Sequence, residues 1–322
     1  MYDFGFGTTP GIAEIFLNNC PSLNTLRIPF DNMQYPAHQG ISELVEVVHK
    51  FLTPNFGNYK YVLITNGATH ALSMSLNAYR QADFRITDCI TQPLYYRFYP
   101  QTIKDAGLIH NTDEIVIESD LDKSIYVIAS PSNPIGELSY NSIEKNVIFD
   151  SVYSSRTYCK NGYTIPSHEV LVGGINKLSG LTGIRIGWLA TNSKILYDLA
   201  YKSLEGSTCC VSLPSQLIAL EMFNKTNWST FYDQSSFLLD LNREALSKIS
   251  YLFGNQKIPE NGMFAFYEVD QKLLDLFNRS NVNFTPGNLM GGCPLTVRIN
   301  LAKTTKETVE MVASILKADK IV

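Results

Sequence analysis

The chain has 322 residues, of which 45% are hydrophobic and 17% are charged. This composition excludes a disordered chain, a collagen and a small disulfide-stapled scaffold. It contains 26 Lys and Arg residues and 30 Asp and Glu residues, which gives a formal net charge of -4. Nucleic acid and anionic membrane surfaces are therefore not expected as partners, and a small-molecule ligand is the better expectation.

Cysteine spacing and the N-terminal sequence narrow the class further. The six cysteines form no Cys-x-x-Cys pair, and no histidine lies at metal-ligand spacing from them, so we expect neither a metal site nor a redox motif. The first residues show no basic region followed by an apolar run, and no apolar stretch approaches the roughly 18 residues of a membrane span. These features predict a cytoplasmic protein without a membrane segment.

Short β-branched or aromatic runs recur through the first two thirds of the chain and predict strands. The predicted strands are 61–65, 86–90, 125–129, 147–150, 170–173 and 184–189. Because these runs are almost continuously apolar, we expect a largely parallel sheet covered by helices on both faces. One such helix is predicted at 69–80, where Leu72, Leu76 and Tyr79 share one side.

After about residue 204 the pattern changes to longer helical stretches with isolated strand-like runs between them. Helices are predicted at 215–223, 236–251 and 304–317, and strands at 263–267 and 296–300. This alternation is typical of a smaller α+β domain.

The predicted fold class is α/β, with a mostly parallel central sheet sandwiched by helices. A smaller α+β domain is predicted to combine the N-terminal segment with the C-terminal third. The predicted boundaries are 1–40 for the N-terminal segment, 41–204 for the large domain and 205–322 for the small domain.

Four segments follow predicted strands, at the place where the loops of an open α/β sheet form a ligand crevice. They are 65–70, 130–136, 147–153 and 173–188. The first places Gly67 before a helix N-terminus, where backbone amides and the helix dipole can hold a phosphate. The third ends an apolar strand in Asp150, which is either a helix cap or a counter-ion for a cationic group.

The fourth segment contains a lysine, Lys177, between small and apolar residues, and Arg185 follows it eight positions later. A lysine among apolar neighbours loses its charge readily and becomes nucleophilic. Lys177 is therefore predicted to be a reactive amine.

In their order along the chain, these segments resemble fold-type I pyridoxal-phosphate (PLP) enzymes, and specifically the class I/II aminotransferases. Stretches outside the four segments extend the resemblance to almost the whole chain: 6–10, 35–40, 286–287 and 297–302. The resemblance implies the fold-type I architecture, pyridoxal 5'-phosphate as cofactor, and transfer of an amino group between an amino acid and a 2-oxo acid.

The resemblance also implies roles for single residues around the cofactor ring. Lys177 is similar to the lysine that forms the Schiff base with the cofactor and then moves the substrate proton. Asp150 is similar to the carboxylate that keeps the pyridine nitrogen protonated. Asn133 and Tyr153 correspond to the residues that hydrogen-bond the phenolic oxygen, and Tyr95 to the aromatic residue that stacks on the ring.

Phosphate binding is implied for Arg185 together with Gly67, Ala68 and Thr69. The Ser or Thr that the family usually carries two or three positions before the lysine is absent, so one phosphate contact is expected to be missing. Tyr35 resembles the residue that reaches the phosphate of the neighbouring subunit, which implies a homodimer with shared active sites.

Substrate binding is implied for three residues: Arg298, which resembles the arginine that binds the substrate α-carboxylate, and its companions Asn133 and Gly7. No second arginine can be assigned to a side-chain carboxylate from the sequence. An aromatic, imidazole-containing or otherwise neutral amino acid is therefore favoured over a dicarboxylate.

Two alternatives to transamination stay open. The same fold carries PLP-dependent decarboxylases and lyases, although an arginine that holds the carboxylate in the ring plane favours deprotonation at Cα over decarboxylation. A non-catalytic regulator or binding protein of this fold is the second alternative. The presence of Lys177, Asp150, Asn133 and Arg185 together argues against it.

Overall fold

The fold is described from a computed structural model that defines residues 2–5, 7–29, 33–112, 122–139, 146–160, 169–280 and 282–318. The strands are β1 (Tyr2–Asp3), β2 (Tyr61–Thr65), β3 (Asp88–Thr91), β4 (Ile109–Thr112), β5 (Ser124–Ala129), β6 (Val147–Asp150), β7 (Val170–Gly174), β8 (Gly187–Thr191), β9 (Phe264–Glu268), β10 (Val282–Asn283), β11 (Thr285–Pro286) and β12 (Thr296–Asn300). The helices are α1 (Pro10–Asn19), α2 (Ser42–Phe56), α3 (Ala68–Ala82), α4 (Tyr99–Asp105), α5 (Ile175–Ser179), α6 (Lys194–Thr208), α7 (Leu213–Lys225), α8 (Trp228–Ser247), α9 (Gln271–Arg279) and α10 (Lys306–Ala318).

A seven-stranded sheet with the order β2-β8-β7-β6-β5-β3-β4 forms the centre of the fold. Strand β8 is antiparallel to both of its neighbours, β2 and β7, and the pairs from β7 to β4 are all parallel. The predicted mostly parallel sheet is therefore confirmed.

Alternate residues of each central strand enter two separate cores, one on each face of the sheet. In β5, Ile125 and Val127 join the core beneath α3, α4 and α6, while Tyr126 and Ile128 join the core beneath α1, α2, α7 and α8. Successive side chains of a strand point to opposite faces, so a strand buried on both sides must be apolar at every position. This explains the continuous apolar runs of the sequence.

The C-terminal part contains a three-stranded antiparallel sheet with the order β11-β12-β9. Its apolar residues share the larger of the two cores with α8 and α10, and these two helices pack against each other. The N-terminal segment joins this part, because β1 pairs in parallel with β10 and Phe4 hydrogen-bonds to Asn283 and Asn300. The predicted boundary at residue 204 falls inside α6. The domain limits remain a prediction.

Within the residues that the structure describes, no helix combines the length and apolar character needed to cross a membrane.

Candidate active site

A cavity of about 530 Å³ lies at the carboxyl ends of β5, β6 and β7 and beside the N-terminus of α3. It brings together predicted residues from segments that lie far apart in the chain. The predicted residues that line it are Gly7, Ala68, Thr69, Asn133, Asp150, Tyr153, Lys177, Arg185 and Arg298.

Lys177 lies on the short helix α5, which begins directly after β7. Its Nζ donates a hydrogen bond to the Gly7 carbonyl oxygen at 2.5 Å, and its own carbonyl oxygen accepts a 2.6 Å hydrogen bond from the Tyr158 hydroxyl. Burial, together with the nearby charges of Arg298 and Arg185, lowers the pKa of the Lys177 amine to about 8. A neutral, nucleophilic amine is thus accessible close to neutral pH.

The lowered pKa predicts how the reactivity of this amine depends on pH. Below its pKa the amine is protonated and does not attack, so we expect trinitrobenzenesulfonate to label Lys177 of the cofactor-free protein with a midpoint near pH 8. An unperturbed lysine has a pKa of about 10.4. Peptide-resolved mass spectrometry over a pH series measures this midpoint. A midpoint near pH 10 would contradict the environment described here.

Asp150, the last residue of β6, presents its carboxylate to the cavity. Its Oδ2 accepts a hydrogen bond from the Tyr99 hydroxyl at 2.6 Å, and its Oδ1 accepts one from the Val152 backbone N–H at 3.0 Å. Burial raises the pKa of this carboxyl group, although both hydrogen bonds oppose that shift. No cationic side chain among the described residues forms an ion pair with Asp150, so its carboxylate can accept a hydrogen bond from a cationic ring nitrogen.

An anion cradle lies at the N-terminus of α3. Gly67 has a φ of +82°, and a Cβ at this position would lie 2.7 Å from Nη2 of Arg185. A side chain would therefore displace the guanidinium from the first turn of the helix. The side chain of Arg185 is exposed, and its Nη1 and Nη2 donate at 3.3 Å to the carbonyl oxygens of Thr182 and Asn66. Its remaining N–H groups and the amides of the first turn of α3 can bind a phosphate.

Arg298 enters the cavity from β12 and is only 4% exposed. Its Nη1 donates to Oδ1 of Asn133 at 2.8 Å, and its Nη2 donates to the Gly5 carbonyl oxygen at 3.0 Å and to the Thr285 hydroxyl at 3.1 Å. Its Nε has no partner in the described part of the chain, and all three recorded acceptors are uncharged. Burial lowers the pKa of Arg298 to about 10. A buried cation without a counter-anion fits a carboxylate ligand.

The structure does not bring Tyr95 into this cavity. The Tyr95 ring instead packs edge-on against His110, with the ring centroids 4.9 Å apart. The neighbouring residue Tyr96 lines the cavity instead, together with Thr69. The segment before α4 has no helical or strand periodicity, so the sequence could not tell which of the adjacent tyrosines faces inward.

Tyr35 is also absent from the cavity of the single chain, and its side chain is 82% exposed. This position is compatible with a role across a subunit interface, which remains a prediction. Arg97 and Tyr99 lie in the cavity wall beside Tyr96. Of these, Arg97 belongs to no motif that the sequence singles out. Within the described residues no group of three or more His, Cys, Asp and Glu side chains could hold a metal ion.

Comparison with known proteins shows the family to which the chain belongs. The profile of the allinase family matches residues 30–250, which is well over half of the chain. The chain belongs to the allinase family. Two relatives of this allinase-family chain are aspartate aminotransferases. The one from Bacillus sp. (strain YM-2) is 25% identical over 91% of this chain and 88% of its own length, and the one from Thermotoga maritima is 24% identical over 86% and 81%.

A solved structure confirms the architecture of this allinase-family chain. The aromatic aminotransferase from Pyrococcus horikoshii superposes with a TM-score of 0.76 over 99% of this chain and 96% of its own, at 20% identity. The predicted fold-type I architecture and the resemblance to class I/II aminotransferases are both confirmed.

Proposed function

We propose that the protein is a PLP-dependent aminotransferase that exchanges an amino group between an amino acid and a 2-oxo acid. The observation that carries this proposal is a single cavity that holds three complementary groups. They are a lysine with a lowered pKa and, within the described part of the chain, a carboxylate without a cationic partner and a buried arginine without an anionic one: Lys177, Asp150 and Arg298.

The residues present fit pyridoxal 5'-phosphate. Its phosphate suits the amides of Ala68 and Thr69 with Arg185, whereas the amide of Gly67 already donates to the Thr65 carbonyl oxygen at 2.8 Å. Its ring nitrogen suits the carboxylate of Asp150. Asn133 and Tyr153 offer hydrogen-bond donors to the ring oxygen, and we assign to Tyr96, in place of Tyr95, the contact with the ring face. When bound, this cofactor supplies an aldehyde for the lysine amine and an electron-withdrawing ring.

In this proposal the chain's own residues orient the substrate and move one proton. Arg298 binds the α-carboxylate in a bidentate pair, and Asn133 fixes the guanidinium by accepting from its Nη1. This pair keeps the carboxylate in place and directs the Cα hydrogen toward Nζ of Lys177. With a pKa of about 8, Lys177 can both accept and return that proton near neutral pH.

We infer that the active unit is a homodimer. The exposed ring of Tyr35 supports this inference, because a residue with the implied phosphate-binding role does not reach the cavity of its own chain. A cytoplasmic location belongs to the same proposal and rests on the sequence features alone.

The test is a panel of amino acids added one at a time to the PLP-loaded protein. We expect the absorbance of the bound aldehyde form to convert to that of its amine form, with one equivalent of 2-oxo acid released. Carbon dioxide without an oxo acid would replace this proposal with a decarboxylase, and release of ammonia with a fragmented side chain would replace it with a lyase. A chain that binds no PLP would support a non-catalytic binding protein.

A further inference from the structure

A second arginine lies at the open end of the cavity. Arg97 belongs to the segment between β3 and α4, lines the cavity and has an exposed side chain. Its guanidinium carbon lies 4.5 Å from the centroid of the neighbouring Phe98 ring, which is 46% exposed at the same opening. Stacking on this ring restrains the guanidinium while its edge N–H groups remain free to donate.

The charges of the cavity wall do not balance. Four basic side chains line it, Arg97, Lys177, Arg185 and Arg298, but among the described lining residues Asp150 is the one acid. The proposed phosphate, which carries about two negative charges, pairs with Arg185 and the N-terminus of α3, and the proposed α-carboxylate pairs with Arg298. Arg97 then keeps an uncompensated charge, since it forms no ion pair with a described residue.

This charge acts on the substrate subsite. Arg97, its neighbour Tyr96 and Arg298 all line this one cavity, so the charge of Arg97 acts in the space where the α-carboxylate is proposed to bind. Two cations that repel each other across one cavity favour a ligand with two separate anionic groups.

We propose that the substrate carries a second anionic group beyond Cα, and that Arg97 binds it at the opening of the cavity. This inference rests on the proposed function and narrows it to acidic amino acids and their 2-oxo acids. It differs from the neutral or aromatic substrate that the sequence favoured, because only the folded chain shows that Arg97 shares a cavity with Arg298. A carboxylate and a phosphate both have the required chemistry.

Equilibrium binding of substrate analogues tests directly whether Arg97 binds a second anionic group, and it requires no turnover. We expect succinate to bind the PLP-loaded protein about tenfold more tightly than butyrate, which has the same chain length and one carboxylate, as measured by titration calorimetry. In Arg97→Gln this ratio should fall to near one, whereas Arg97→Lys, which keeps the charge, should retain most of it. Arg156→Gln is the matched control, because Arg156 also lies over an aromatic ring, that of Tyr232, but outside the cavity.

Kinetic ratios identify the source of the second anionic group. The kcat/KM for aspartate is compared with that for asparagine, glutamate with glutamine, and O-phosphoserine with serine. The pair with the largest ratio identifies a short carboxylate, a long carboxylate or a phosphate, and Arg97→Gln should reduce that ratio about tenfold.

Two results would overturn the inference: equal binding of succinate and butyrate, or a preference for acidic ligands that survives in Arg97→Gln. A thermal melt of each variant establishes that it folds. If neutral amino acids react but acidic ones have no advantage, this inference fails and the proposed function stands. If succinate binds through Arg97 but no amino acid reacts, the proposed function fails and the acidic ligand stands.

Discussion

Lys177→Ala is expected to lower kcat by about 10⁴-fold, the largest effect of any single substitution in this chain. Lys177 alone among the lysines lines the described cavity, and its pKa of about 8 suits both attack and proton transfer. The variant loses the covalent attachment of the cofactor and the proton-transferring group together. Stopped-flow conversion of the bound cofactor by a saturating amino acid measures this loss.

A matched control is Lys202→Ala, because Lys202 is an exposed lysine on α6 that does not line the cavity. It should retain wild-type rates. Borohydride reduction followed by peptide mapping gives a second measurement: the cofactor should be linked to Lys177 in the wild type and to no residue in Lys177→Ala. A reduced adduct on another lysine of the variant would remove Lys177 from the proposed role.

The strands of the large sheet could be predicted because each is buried on both faces. A run such as Val147–Asp150 is apolar at consecutive positions and ends in a polar residue at the sheet edge. Strand β8 begins at Gly187, three residues later than predicted, because 182–184 form a short 3-10 helix and Arg185 has a φ of +59°. Tertiary contacts of the cradle dictate that backbone, and no local pattern encodes them.

The start of helix α8 was also not predictable from the local sequence pattern. The sequence pattern predicts a helix from residue 236, but the helix begins at Trp228, where Asn227 caps it by accepting from the Thr230 backbone N–H at 3.3 Å. The first two turns mix polar and aromatic residues without a clear stripe. Their aromatic rings are buried against α1, with Phe16 and Phe231 5.2 Å apart, and this pairing joins residues distant in sequence.

The site residues that could be predicted are those fixed to strand ends and glycine turns. Lys177, Asp150 and Gly67 follow directly from where β7, β6 and β2 end. The orientation of the segment before α4 could not be predicted, because it depends on how the chain crosses the sheet edge. This segment also places Tyr99, the first residue of α4, so that it hydrogen-bonds to Asp150, 51 positions away.

Asp150→Asn is expected to lower kcat by about 10²- to 10³-fold. The substitution keeps the shape of the side chain and an acceptor for the Val152 N–H, but removes the negative charge that would keep a ring nitrogen protonated. Tyr99→Phe is the matched variant: it removes a hydrogen bond to Asp150 but leaves the carboxylate, so we expect a loss of only about tenfold. Steady-state kinetics of the wild type, Tyr99→Phe and Asp150→Asn should therefore give kcat values that decrease in that order.

Stability of the cofactor-free protein separates the catalytic role of Asp150 from a structural one. The folded chain raises the pKa of this carboxyl group above its usual value of 3.8, so the folded state holds the proton more tightly than the unfolded state. The free energy of unfolding therefore falls as the pH rises through the window between the two pKa values, and at pH 7 the ionised group opposes folding. Cofactor-free Asp150→Asn should accordingly melt at the same temperature as the wild type or higher, although its kcat is lower. A variant that melts several degrees lower would show that Asp150 serves the fold instead, since the loss of activity would then follow from a weakened structure.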